Sequence, residues 1–287
     1  MHKIFDLSQP LNQDCSFWPF YPPFEVKYFK RKSEHGVNAQ YIQTSNHMGT
    51  HLDAPRHFVT NGKTIDQLPL EWLWGPGIIV DLSDALDELD IFTPEMIEER
   101  VEVREGDILF IHTGWWKYSF LSPEGDEEKY IHRHPGPHHS IVPWLIEKKI
   151  HVWGVDMIST DHPMNLPIGR FLGKGGLEHW QRVRAQVERK FGADQIDTLF
   201  PPEAYQLTHN ALFPHDCVHV ENLGGAIGDP RLHNRRLTIG AFPWLFKGGE
   251  AAFCRAVAWI DEDELDAAPK KEKKGKKDKK EKKDKKK

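Results

Sequence analysis

The sequence predicts a single α/β domain built on a mixed, barrel-like sheet. Short apolar runs rich in β-branched and aromatic residues recur through the first 269 residues, bounded by Gly and Pro. Helical patterns fall between them at uneven spacing, unlike a doubly wound sheet with regular strand–helix alternation. The chain has 287 residues, 39% of them apolar, which suits one large domain with a sizeable core.

The elements follow in chain order. KIFDLS near the N-terminus, GIIVDLS at 77–83, DILFIHTG at 107–114 and HVWGVDMIS at 151–159 read as buried strands. Thr93-Pro94 opens a helix, with Thr as N-cap and Pro at the first helical position. SIVPWLIEKK, Ser140 to Lys149, is a second helix. Leu177, Trp180, Val183, Val187 and Phe191 recur at three- and four-residue steps, an amphipathic helix that Gly192 stops. Cys217, His219 and Glu221 alternate with Val218 and Val220, as in a half-buried strand.

Composition excludes several classes. Ten Trp, 16 Phe and 6 Tyr rule out a wholly disordered chain. No apolar run approaches the roughly 20 residues of a membrane-spanning helix, and MHKIFDLSQPLNQD lacks the apolar core of a secretory signal. Cys15, Cys217 and Cys254 form neither a disulfide framework nor a CxxC pattern. A cytoplasmic protein with no membrane partner is expected. The formal charge of −5 joins two unlike parts. Residues 270–287 carry 13 Lys and 4 acids, while residues 1–269 carry 25 Lys and Arg against 39 acids. The domain is therefore 1–269, followed by a disordered basic tail at 270–287. The tail offers weak electrostatic contact with nucleic acid, but the acidic body argues against a nucleic-acid adaptor.

Chemistry concentrates in Asn46 to Phe58, where His47, His51, Asp53 and His57 fall within eleven residues. A helix would put Asp53 about 160° from His51, too far to share an ion, and Gly49 and Pro55 disfavour a helix. In extended backbone side chains alternate, and all four positions are odd, so a strand or loop with a bend at Gly49 can turn them to one side. Two imidazoles and a carboxylate suit Zn, Mn or Fe(II) with coordination positions left open. His209 and the stretch Asp216 to Asn222 form a second, weaker constellation. The aromatic run Phe17 to Pro23 is read both as core packing and as an apolar wall for a planar substrate, with Trp18 and Phe20 as the pocket candidates. His132 to His139 reads as a Gly/Pro loop rather than a metal tract, and Asp156, Ser159 and Asp161 as structural. His162 is a candidate partner for a ligand.

These segments resemble the metal-dependent cyclase-like hydrolase family, which includes bacterial kynurenine formamidases and isatin hydrolase. The signature His-x-Gly-Thr-His-x-Asp-x-Pro-x-His is matched without a gap from His47 to His57. Asp6-Leu7-Ser8, the run Gly154 to Asp161, and Glu221-Asn222-Leu223 resemble further family segments. The resemblance implies a swivelling β/β/α fold and a homodimer acting on a small-molecule substrate. It implies that His47, His51 and Asp53 hold a divalent metal, Zn or Mn, and that His57 is the catalytic histidine. In the formamidases the aspartate bridges to a second ion, also bound by the equivalents of His209 and Glu221, so one or two ions per chain are expected. The expected activity is hydrolysis of a small amide, formamide, cyclic imide or lactone, with an arylformamidase the best single expectation. The alternatives are a cyclase or dehydratase using the same ion, and a non-enzymatic metal-dependent binding protein. The region 164–207 is longer than in compact formamidases and is expected to reshape the pocket.

Overall fold

The computed structural model describes residues 1–166 and 173–265; the basic tail at 270–287 lies outside them. Among the described residues twelve strands run in chain order: β1 His2–Asp6, β2 Glu25–Lys30, β3 Ala39–Gln43, β4 His51–Asp53, β5 Trp74–Asp81, β6 Ile91–Phe92, β7 Ile108–His112, β8 Gly136–Pro137, β9 Val152–Val155, β10 Val218–Glu221, β11 Arg236–Pro243 and β12 Ala251–Asp261. Seven of them close a barrel. β5, β7, β9 and β10 are parallel neighbours. β4 runs antiparallel to both β10 and β12, and β11 joins β12 back to β5. β1 lies outside the ring, along the far half of β12. This is the mixed, barrel-like α/β domain that the sequence predicts.

The continuous apolar runs of the parallel strands arise because both of their faces are covered. Ile79 and Phe110 point into the barrel core with Leu52, Val220 and Ile239. Their neighbours Ile78, Val80, Leu109 and Ile111 pack outward with Leu145, in the helix Ile141–Glu147, and Ile97, in the helix Pro94–Arg100. The latter helix starts as expected, with the Thr93 side chain accepting from the Met96 amide. Gly154 in β9 permits close strand packing. A Cβ there would stand 2.7 Å from the Val220 carbonyl oxygen and 3.0 Å from Phe110.

β10 departs from the half-buried strand expected of it. All four residues are buried, because β9 and β4 flank it and both faces are covered. The helix Gly173–Phe191 forms, and Gly192 follows it at φ 93°. Val183 and Val187 bury in a separate cluster with Leu89, Met164, Ile196 and Phe200; the Leu177 side chain lies outside the described residues. β2 and β3 form a two-stranded hairpin that alternation in the sequence did not reveal. Four of its apolar side chains, Tyr28, Phe29, Tyr41 and Ile42, are exposed. Among the described residues no helix is long and apolar enough to cross a membrane.

Candidate active site

β4 brings the two halves of the site together. In the register of β4 with β10, Glu221 sits opposite His51 and His219 opposite Asp53. Strand alternation therefore explains His51 and Asp53 only. His47 precedes the strand, beyond a bend at Gly49 with φ 55°, and His57 ends a 3-10 turn, Pro55–His57. The four odd-numbered residues still converge on one cleft, whose walls also include His209 and Glu221. His209 arrives on the short helix Leu207–Leu212, and Gln206 and Leu166 join the wall. Both ends of the long 164–207 region thus contribute to the cleft.

Ligand-type atoms crowd this cleft. His47 Nδ1 is 3.0 Å and His51 Nε2 3.4 Å from Asp53 Oδ1. His209 Nε2 is 3.9 Å from Asp53 Oδ2 and 3.6 Å from Glu221 Oε1, while His51 Nε2 is 3.6 Å from Glu221 Oε2. Although buried, His51 Nε2, His219 Nε2 and Asp53 Oδ2 make no hydrogen bond. Each unmet buried polar atom costs about 1–3 kcal/mol. Convergent imidazole and carboxylate lone pairs are a donor set that a divalent cation satisfies. The residues present fit a metal.

Their outer atoms are anchored. Asp161 Oδ2 accepts from His209 Nδ1 at 2.7 Å, leaving His209 Nε2 turned toward Asp53 and Glu221. His51 Nδ1 donates to the Gly49 carbonyl at 2.9 Å. The Thr160 amide donates to Glu221 Oε1 at 2.8 Å, and Thr160 Oγ1 lies 3.0 Å from His219 Nδ1. Such contacts fix ring orientation and tautomer. Asp161, read from sequence as structural, therefore positions a candidate ligand. His162 does not reach the cleft: its Nδ1 accepts from the Met164 amide and its Nε2 donates to the Leu89 carbonyl. Asp156 is structural, accepting from the Thr113 and Trp115 amides.

Glu250 is the residue that sequence reasoning missed. It precedes β12, almost 200 residues from β4 in sequence. Its Oε2 lies 2.9 Å from His57 Nδ1 and 2.8 Å from His47 Nε2, and its Oε1 accepts from Asn46 Nδ2 at 2.6 Å. Only the pairing of β12 with β4 brings it there.

Burial and charge set the protonation. Burial opposes a proton on His47, but Asp53 and Glu250 outweigh it and raise the group to about 10. Burial lowers His51 to about 4. Burial also lifts Glu221 to about 7, with the Asp53 charge adding to it against the pull of His209. Burial would raise Glu250 too, yet its contacts with His47 and His57 hold it below the ordinary carboxylate range.

Of the two aromatic pocket candidates, Trp18 lines the cleft and Phe20 does not. With φ 81°, Phe20 is turned to solvent, 65% exposed, and Tyr21 takes the wall instead, its ring 5.5 Å from that of His47. His132 ends the helix Glu127–His132, Arg133 to His139 is irregular backbone apart from β8, and among the described residues the segment contributes to no metal-type cluster.

Comparison with known proteins agrees with this geometry. The family described as putative cyclase matches residues 5–162. The kynurenine formamidase of Bacillus cereus (strain ATCC 10987 / NRS 248) is 35% identical over 161 residues, 54% of this chain and 69% of that protein. The Bacillus anthracis kynurenine formamidase is 34% identical over 164 residues, 55% and 70% of the two chains. In fold the chain is similar to isatin hydrolase A from Ralstonia solanacearum, with a TM-score of 0.69 at 20% identity over 91% of this chain and 92% of that one. An isatin hydrolase bound to the product analogue thioisatinate gives 0.68 at 21% identity over 90% and 92%. With three of its family segments, from His47 to His57, at Ile158 and Ser159, and at Glu221 and Asn222, meeting in one cleft, this chain belongs to the cyclase-like family of metal-dependent hydrolases.

Proposed function

We propose that this protein is a divalent-metal-dependent hydrolase that cleaves the C–N bond of a small amide, with an aryl formamide as its substrate class. The observation that carries this reading is the convergence of His47, His51 and Asp53 beside a histidine, His57, held by Glu250. The names of the formamidase relatives and of the isatin hydrolases support it.

The chain's own groups divide the work. His47, His51 and Asp53 would hold one ion, and Asp53, His209 and Glu221 a second, with Zn or Mn the fitting metals. When bound, such a cation acidifies water toward a pKa of about 7 and draws electron density from a carbonyl oxygen. Glu250 accepts the Nδ1 proton of His57, so Nε2 carries the lone pair. That nitrogen takes a proton from the attacking water and returns it to the leaving nitrogen, so no net proton is consumed between the two steps. Trp18 and Tyr21 offer flat surfaces for a planar acyl or aryl group.

We read the protein as a homodimer. An isolated two-stranded hairpin is marginal in water, and Tyr28, Phe29, Tyr41 and Ile42 leave β2 and β3 with exposed apolar surface that a second copy would cover. Light scattering on the purified protein tests this. The three buried, unpaired cysteines accord with a reducing, cytoplasmic setting. Residues 1–269 are taken as the working domain, so deletion of 270–287 should leave turnover unchanged.

The test of activity is a hydrolysis screen on chelator-treated protein restored with Zn or Mn. N-formylkynurenine, isatin, a cyclic imide and a lactone form the panel. Chelator-sensitive formamide turnover is expected. Isatin opening without formamide turnover would move the substrate class to cyclic amides. Loss of all turnover after metal restoration would overturn the hydrolase reading.

A further inference from the structure

A second His/Asp cluster lies outside the cleft. Asp81 ends β5, His112 ends β7, and His233 lies in the segment before β11; none of them lines the catalytic cleft. The three offer ligand atoms close enough to share an ion. His112 Nδ1 is 2.9 Å from Asp81 Oδ1, and His233 Nδ1 is 3.3 Å from Asp81 Oδ2. Ligand atoms around a tetrahedral ion, each about 2.0–2.1 Å from it, stand roughly 3.3 Å apart. The imidazole rings stack at 4.6 Å, so their Nδ1 edges face the same carboxylate.

The outer nitrogens favour a cation. His233 Nε2 is 2.7 Å from the Ile227 carbonyl, which can only accept, so Nε2 carries a hydrogen. In neutral His233 the Nδ1 lone pair would then confront a carboxylate oxygen. Either a second proton or a metal must lie between them. On His112, Nε2 is buried and makes no hydrogen bond, and it faces Asp156 Oδ2 at 3.9 Å. Metal-binding histidines characteristically give their outer N–H to a carboxylate or a backbone carbonyl. Here one outer nitrogen has a carbonyl and the other looks toward a carboxylate.

The backbone holds the three in place. His233 bridges to Ile79 of β5, the Asn234 amide donates to the Ile79 carbonyl at 2.8 Å, and Asn234 Oδ1 accepts from the Asp81 amide at 3.0 Å. Asp81 Oδ1 is aimed by the Ser83 amide and hydroxyl, at 3.0 and 2.7 Å. Both histidines are nearly buried, and Asp81 is 26% exposed, which leaves one side open to solvent for entry and for water ligands.

We propose that Asp81, His112 and His233 form a structural site for a divalent transition metal, Zn being the fitting ion, separate from the catalytic cluster. The ion would staple the C-terminal ends of β5 and β7 to the 225–235 segment. Its entry balances as a proton exchange. The proton between His233 Nδ1 and Asp81 leaves to solvent. The His112 proton moves from Nδ1 to Nε2, where Asp156 accepts it after a small approach, and the freed Nδ1 lone pair binds the metal.

The test counts ions on chelator-treated protein titrated with Co²⁺, read by visible absorption, and with Zn²⁺, read by elemental analysis. His233→Gln and, as a second variant that keeps carboxylate shape, Asp81→Asn should each bind one equivalent fewer than the unaltered chain while keeping its kcat after metal restoration. A His51→Ala/Asp53→Ala variant should lose turnover but still bind one Co²⁺, and adding His233→Gln should abolish that binding. Equal stoichiometry in the unaltered chain and both single variants would overturn the site. So would a His51→Ala/Asp53→Ala variant that binds no metal. Because the readout is a difference in ion count, it stands whether or not the hydrolase reading does.

Discussion

His57 Nδ1 lies 2.9 Å from Glu250 Oε2, an oxygen that His47 Nε2 also approaches to 2.8 Å. One carboxylate therefore orients both the candidate base and a candidate metal ligand. Glu250→Gln keeps the shape but removes the charge that fixes both tautomers. A loss of about 10–100-fold in kcat or metal affinity is expected. Steady-state kinetics at saturating metal, beside a metal titration, separate the two effects. An unchanged kcat and metal Kd would remove Glu250 from the site.

His57→Ala and Asp53→Ala should fail differently. His57 has no place in the proposed ligand sets, so its loss should leave the ion count intact while kcat falls on the order of 10²–10⁴-fold. Asp53 reaches both sets, at 3.0 Å from His47 and 3.9 Å from His209, so its loss should remove the metal of the cleft together with activity, leaving only the ion held by Asp81, His112 and His233. Elemental analysis of the two variants beside their turnover decides the assignment.

Metal removal should lower thermal stability as well as activity. An ion that binds only the folded chain stabilises it by about 4 kcal/mol when its free concentration is roughly 1,000 times Kd. For a domain of this size each kcal/mol moves Tm by about 2–4 °C. A melting curve with and without chelator should show that fall, and Zn or Mn should reverse it.

Gly154→Ala probes the barrel rather than the site. Its new methyl would meet the Val220 carbonyl oxygen at 2.7 Å and the Val220 Cβ at 2.9 Å. Neither backbone neighbour can swing aside, so the strands must part. A cost of about 1–3 kcal/mol is expected, read from the denaturation midpoint. β10 carries Glu221, so metal affinity should weaken alongside.

The sequence made the parallel strands legible because both their faces are apolar, and the motif from His47 to His57 made half of the site legible because its residues are neighbours. What stayed hidden depends on distant pairing. No motif near Glu250 marks it, and its role arises only from β12 lying beside β4. Asp161 looked structural because the helix bearing His209 lies more than forty residues further on. Phe20 and Tyr21 are adjacent and equally aromatic, and the positive φ that sends one outward and the other into the cleft has no signature in residue type. The β2–β3 hairpin lacks a clean alternation because apolar residues stand side by side in both strands, Tyr28 with Phe29 and Tyr41 with Ile42, and all four are exposed.

The double pairing of β4 sets an order of events. Its three residues are flanked by β10 and by the start of β12, partners about 170 and 200 residues away. Contacts at such separation form late, because a long loop must close before they return any stability. During synthesis, the motif that names the family would leave the ribosome long before it could act. Its histidines would have only each other and Asp53 until Glu221 emerged, and His57 Nδ1 would have no carboxylate partner until Glu250 followed. A nascent chain halted short of β12 would thus carry every residue of the signature and still lack a finished catalyst, so the last strand serves as the molecule's own checkpoint on completeness.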